Sequence, residues 1–144
     1  MKAVHPYLNF AGNTEEAFNF YKSVFGGEFT GIIRFKDMPM EGVSIPHQDQ
    51  EKIMHISLPL GNGTILMATD ALESMGQKLI VGNNSYILLS PESKEEADRL
   101  FNDLSAGGTV EMPMGDVPWG DYYGSLKDKF GIHWMVDYEY PKET

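Results

Sequence analysis

Three of the four histidines in this chain, His5, His55 and His133, lie in stretches where apolar and polar residues alternate, the period of a half-buried β-strand. An imidazole placed there can bind a divalent cation through an unprotonated nitrogen, or act as a general base when a second group orients it. Strand parity groups His55 with Ser57, and His133 with Met135 and Asp137, so each ring has a polar neighbour on its own side. The remaining histidine, His47, falls in a loop. With no cysteine in the chain, thiolate nucleophiles, disulfides and sulfur-ligated metals are excluded. A nucleophile elbow, a phosphate-cradling glycine loop and a dinucleotide fingerprint are all missing from the sequence. Its glycine pairs, Gly26-Gly27 and Gly107-Gly108, close helical stretches instead of opening them.

Aromatic and thioether side chains accompany the histidines. Tyr7, Met54 or His55, Met67, Trp119, Tyr122, Tyr123, Trp134 and Met135 fall in segments expected to line or border a concave surface, and nine methionines suit an adaptable one. Trp134 and Met67 are expected in the core. Trp119, flanked by Val117-Pro118 and Gly120-Asp121, sits in a loop, where a large aromatic either anchors the loop or meets a ligand or partner. The candidate ligand-binding residues are therefore His5, Tyr7, His55, Trp119, Tyr123, His133 and Met135, and no residue is assigned to catalysis.

The elements that must position these groups are written twice. Asn13-Thr14-Glu15-Glu16-Ala17, Phe20-Tyr21, Val24 and Gly26-Gly27 recur as Ser93-Lys94-Glu95-Glu96-Ala97, Leu100-Phe101, Leu104 and Gly107-Gly108, at an offset of 80 residues that becomes 81 at the glycines. Each copy has a capping residue with glutamate three positions on, an apolar stripe at helical spacing, and a glycine pair to end the helix. Strand character marks residues 4–10, 28–35, 53–60 and 64–69, the third and fourth joined through Gly61-Asn62-Gly63. The second copy supplies residues 85–89, 109–112, 122–126 and 132–138. The expectation is strand, helix, three strands, repeated, with the connector 70–83 as the boundary. Residues 36–50, carrying Pro39, Pro46, Met38, Met40 and His47, read as a long loop placed to act as a lid. Phe20, Val24, Leu100 and Leu104 are expected to be buried where the helices meet the sheet.

Composition narrows the partners. A net charge of -10, from 21 acidic and 11 basic side chains, repels a phosphate backbone, so nucleic acid is not an expected partner. The chain has no apolar run of membrane length and no signal-peptide core at its start, which points to a soluble, cytoplasmic protein with no membrane contact.

Several strings carry a family resemblance: Tyr7-Leu8-Asn9-Phe10, Gly12-Asn13, Phe25-Gly26-Gly27, Met54-His55, Asp70, Trp119-Gly120, Tyr123-Gly124 and, above all, Asp128-Lys129-Phe130-Gly131 before Trp134. The chain resembles the vicinal oxygen chelate superfamily, which includes glyoxalase I, bleomycin-resistance proteins and extradiol dioxygenases, and within it the PhnB-like branch. The resemblance implies an α+β fold of two tandem βαβββ modules forming a curved mixed sheet with helices outside. It implies one glyoxalase-like domain over residues 1–144, made of modules 1–75 and 83–140. Metal-dependent members take ligands from the first and last strands of each module; carried over, these positions fall on His5, near Ser85, within residues 66–68 and on Met135. Only His5 suits a divalent cation, so neither a metal nor another cofactor is expected. Branch members have been labelled quinone-pathway methyltransferases, but the sequence shows nothing that would hold a methyl donor. The reading is a binder of a small organic molecule, comparable to the bleomycin-resistance branch; the alternative is a divalent-metal-dependent lyase, isomerase or dioxygenase using His5. The resemblance also implies a homodimer, with Trp119 and Tyr123 near the second subunit.

Overall fold

The computed structural model describes residues 1–142; Glu143 and Thr144, the end of the expected 1–144 span, lie outside the described residues. The chain divides into two compact units, Met1–Ile80 and the residues from Val81 onward. The first unit contains β1 (Tyr7–Phe10), α1 (Thr14–Phe25), β2 (Gly31–Arg34), β3 (Ile53–Pro59) and β4 (Ile65–Asp70). The second contains β5 (Ile87–Leu89), α2 (Lys94–Ser105), β6 (Thr109–Asp116), β7 (Asp121–Lys127) and β8 (His133–Glu139). Strand order is β1-β4-β3-β2 in one sheet and β5-β8-β7-β6 in the other. In each, the first strand runs parallel to the last and the remaining pairs are antiparallel. The sequence repeat is thus a repeat of topology, and the class is the expected α+β, with two mixed four-stranded sheets. Among the described residues no helix is long and apolar enough to cross a membrane.

Local chemistry explains where the elements begin. Pro6 has no N–H to give to a ladder, so β1 starts at Tyr7 and leaves His5 ahead of the strand. The helix starts differ from the reciprocal boxes expected of them. Asn13 makes no side-chain cap. The amino end of α1 is held instead by Asp70, the last residue of β4: its Oδ1 accepts hydrogen bonds from Gly12 N (3.0 Å), Thr14 N (3.1 Å) and Thr14 Oγ1 (2.6 Å). Its Oδ2 accepts from Ile53 N at the start of β3, at 2.8 Å. A carboxylate buried this deeply needs such donors, because unpaired charge is costly away from water. In α2, Ser93 does cap, accepting from Glu96 N at 3.0 Å, but the Glu96 side chain reaches back to Glu92 N instead of Ser93 N.

Each helix buries one stripe. Ala97, Leu100, Phe101 and Leu104 of α2 are buried as expected, and in α1 Ala17, Tyr21 and Val24 are. Phe20 is half-buried, and Phe18 takes its place in the core, packed edge-on against Phe10 and Tyr21. The buried stripe through Thr14, Ala17, Tyr21 and Val24 passes through Phe18, while Phe20 lies on its flank. Trp134 is fully buried in the second unit, its indole N–H donating to Asp128 Oδ2 at 2.8 Å. Asp128 Oδ1 accepts from Phe130 N and Ile132 N, so the most specific string of the sequence is a side-chain-locked turn between β7 and β8.

Gly107 ends α2 with φ +75, whereas Gly108 serves a different need: a Cβ there would stand 2.2 Å from the Lys127 carbonyl oxygen. Close backbone approach, not helix termination, fixes that residue. In the first unit the loop 36–50 is tied at its end by buried Asp49, which accepts from Lys52 Nζ (2.7 Å) and Ser74 Oγ (2.6 Å). Lys36 N also donates to Gln50 O, so both ends of the loop are drawn together.

Removing the carboxylate in Asp70→Ala strands three backbone donors at the junction of α1, β3 and β4. A loss of roughly 3 kcal/mol or more is expected in denaturant unfolding, and a variant within about 1 kcal/mol of the parent would show that Asp70 is not the tie described.

Candidate functional site

Burial along β4 alternates: Leu66, Ala68 and Asp70 are buried, while Ile65, Met67 and Thr69 are partly exposed. The buried set faces α1, whose first turn Asp70 holds. The other face points away from α1, and among the described residues of this unit no α-helix packs on it. Register brings Tyr7, Met67, Ser57 and Gly31 into one row across it, and places Ile33 opposite His55. Met67 therefore lies on this face and not in the core. On the same face Tyr7 Oη lies 3.1 Å from His55 Nδ1, with the rings 5.7 Å apart and tilted by 35°. Partial burial raises the Tyr7 pKa above its ordinary value of 10.0. The partner of His55 is thus Tyr7; Ser57, the neighbour suggested by parity, pairs with Thr30 Oγ1 at 2.9 Å. His5 stands apart from this pair, its Nδ1 accepting from Ile65 N at 3.0 Å.

The second sheet has the same division. Trp134 and Val136 are buried on the side of α2, and the helix-free face carries His133, Met135 and Asp137, opposite Lys127, Ser125 and Tyr123 respectively. Tyr122, expected beside the cleft, belongs to the other face: its hydroxyl donates to Asp98 of α2 at 2.5 Å, with Lys94 Nζ 4.7 Å from the ring centroid. That hydrogen bond, then burial and the Asp98 charge, push its pKa up to about 12. Trp119 is 63% exposed in the turn between β6 and β7, its ring edge-on to Tyr123 with centroids 5.7 Å apart.

His133 is buried, and its Nδ1 lies 3.5 Å from Glu111 Oε1. Tyr86, just ahead of β5, donates its hydroxyl to both Glu111 oxygens, at 3.0 and 3.2 Å, and its ring lies 5.0 Å from that of His133. The bond to Glu111 is the main cause of a raised Tyr86 pKa. Neither Tyr86 nor Glu111 was expected, and Asp137, the neighbour that parity gave His133, is not its partner. The β6–β7 register shifts between Val110 and Met112, so Glu111 occupies an irregularity that an alternation pattern does not reveal.

At the positions where metal-dependent members of the resembling superfamily bind their ion, this chain offers one imidazole, the Ser85 hydroxyl and the thioethers of Met67 and Met135. Met67 sits opposite Tyr7 and Ser57, Met135 opposite Ser125, and His5 has one nitrogen engaged by Ile65. That donor set does not fit a divalent-metal centre. Among the described residues, acidic oxygens converge elsewhere, at Asp121, Asp137 and Glu139, within 4.8 Å of one another on the helix-free face of the second sheet. Oxygen-only sets of this kind suit hard cations.

The fold and the helix-free faces define the class: a duplicated βαβββ protein whose sheets each turn an aromatic, histidine-bearing surface away from the helix. The chain belongs to the family described as 3-demethylubiquinone-9 3-methyltransferase, which matches residues 2–137. It is 31% identical to protein YjdN of Escherichia coli over 92% of both chains. Protein PA1353 of Pseudomonas aeruginosa, 38% identical, superposes with a TM-score of 0.83 over 94% of this chain and 96% of that one. The PhnB protein of Bacillus cereus, 29% identical, gives 0.73 over 94% and 98%. Solved structures named glyoxalase/bleomycin resistance proteins, at 16 and 19% identity, share the fold. The PhnB-like, glyoxalase-fold membership inferred from the closing string and the duplication is therefore correct.

Asp137 is the most perturbed acid of the helix-free faces. Burial first, then a hydrogen bond with Asp121 and the charges of Asp121 and Glu139, raise its pKa from 3.8 to about 6, and its Oδ1 is buried without a hydrogen-bond partner. An acid whose folded pKa exceeds its unfolded value opposes folding once ionised, so this penalty is absent below 3.8, grows through the interval, and is complete above about 6. Asp137→Asn should raise Tm above the parent at neutral pH, with the difference vanishing at the acid end of that interval. An equal Tm difference at all pH values would contradict the assignment.

Proposed function

We propose that the protein binds a small organic molecule on the sheet face turned away from the helix in one of its units, without a catalytic metal, as a single glyoxalase-like domain in the cytoplasm. The observation that carries this reading is the composition of that face in each unit. Tyr7, His55, Met67, Trp119, Tyr123 and Met135 are neither buried as core nor replaced by the charged residues of an ordinary solvent face. Partly exposed aromatic and thioether groups with a few hydrogen-bonding partners are what a cavity for an organic ligand requires. Methyl transfer, which the family's descriptive name suggests, gains no support from the glycines. Gly26 and Gly107, both with positive φ, follow helices and so do not present amides at a helix start.

The two tryptophans make the reading testable, since Trp134 is fully buried and Trp119 is 63% exposed. A panel of planar aromatic compounds should include members that quench or shift the fluorescence of the parent saturably and lose that effect in Trp119→Phe. If no compound binds, or if Trp119→Phe responds as the parent does, the proposed face is wrong.

We also propose a symmetric homodimer. Both sheets end in an edge strand, β2 and β6, and apolar side chains stand exposed on each: Ile32 on one, Val110 and Met112 on the other. Exposed edges of this kind are commonly covered by a second chain. Light scattering at micromolar concentration should give twice the chain mass of 16.2 kDa, and a value at the chain mass itself would refute the dimer.

A further inference from the structure

We propose that the second unit holds a proton-transfer site for a small molecule with an acidic hydroxyl group, a phenol or an enol. His133 is the base, Glu111 and Tyr86 are its positioning residues, and Lys127 supplies the countercharge. The inference rests on the small-molecule reading above and names the chemistry of one site.

The site is a cavity of about 490 Å³ whose walls include Val81, Asn83, Thr109, Glu111, Lys127 and His133. That volume lies within the range of small-molecule pockets and admits a substituted single ring. Its floor is one row of the sheet: Thr109 on β6 is opposite Lys127 on β7, which is opposite His133 on β8. The irregularity in β6 falls at Glu111, whose carboxylate reaches the imidazole. The charged and titratable groups facing His133 are thus Glu111 from β6, Lys127 from β7 and Tyr86 from the segment before β5.

This arrangement fixes the direction of proton transfer. Tyr86 donates to both oxygens of Glu111 and so sets the plane of the carboxylate. The carboxylate beside Nδ1 favours the tautomer that carries its proton there, which leaves Nε2 as the acceptor. When a bound hydroxyl ionises, its O–H bond breaks, the proton bonds to Nε2 and the electron pair stays on oxygen. Nothing is oxidised or reduced. The imidazolium then lies between Glu111 and the new oxyanion, with the Lys127 ammonium as second cation, so the charges alternate and the net charge of the site is unchanged.

The probe is 4-nitrophenol, whose phenolate has its own absorption band, held at a pH about one unit below its solution pKa so that roughly a tenth is ionised when free. Titration with the full-length protein should raise the phenolate band saturably above that fraction. His133→Gln should abolish the increase. Because His133 is buried and its replacement can disturb folding, the exposed Glu111→Gln and Lys127→Met carry the test, each with an expected loss of about tenfold or more in phenolate binding. Nitrogen NMR of the unliganded protein should show His133 protonated on Nδ1. Saturable binding of the neutral phenol overturns the proton-transfer site while leaving the small-molecule reading intact. Absence of saturable binding, a His133 ring protonated on Nε2 alone, or variants that match the parent also overturn it.

Discussion

A single buried carboxylate organises the first unit. Asp70 ends β4, yet its oxygens satisfy donors at the start of α1 and at the start of β3, so three elements separated in sequence share one electrostatic anchor. Fixing the helix to the last strand also decides which sheet face it covers. Tyr7, His55 and Met67 are on the face that Asp70 leaves open. The second unit repeats the topology but not the anchor. There a serine caps the helix, and the buried carboxylate, Asp128, has moved to the β7–β8 turn, where it holds two backbone amides and the indole of Trp134.

Duplication with different locks has a functional side. In both sheets the apolar face is spent on the helix, and the opposite face is left to diverge. In the first unit it presents a Tyr–His pair. In the second it presents a Tyr–Glu–His set at one end and three acidic groups at the other. The two faces do not offer the same chemistry, so the repeat has preserved a scaffold and not a site.

How much of this the sequence disclosed follows from the range of the interactions involved. Strand parity is local, and it correctly grouped His55 with Ser57 and His133 with Met135 and Asp137. Helical periodicity is local too, and it found the stripe of α2 in full. The cap of α1 escaped because its acceptor, the Asp70 carboxylate, lies 56 residues from Thr14, while Asn13 looked sufficient on its own. The repeat points to Phe20, because an alignment of copies reports correspondence, not the angle at which a helix meets its sheet, and the residue that angle buries is Phe18. Tyr122 lies in a segment expected to line or border the cleft, but the segment does not disclose the face, and an acid on α2 decides the direction of its hydroxyl. Glu111 was invisible for a different reason: an irregular strand breaks the period-two rule at the residue that matters.

The contact at Gly108 bears on how this protein can change. It holds the start of β6 against the Lys127 carbonyl, backbone to backbone, with no room for a side chain between. Most side chains of β6 are exposed and are not needed to keep that spacing. Replacements along the strand can therefore alter what it displays toward β7 and β8 while the distance across which it displays them stays constant. A lineage carrying this glycine can exchange the side chains shown along this strand by ordinary point mutation, without first having to rebuild the frame.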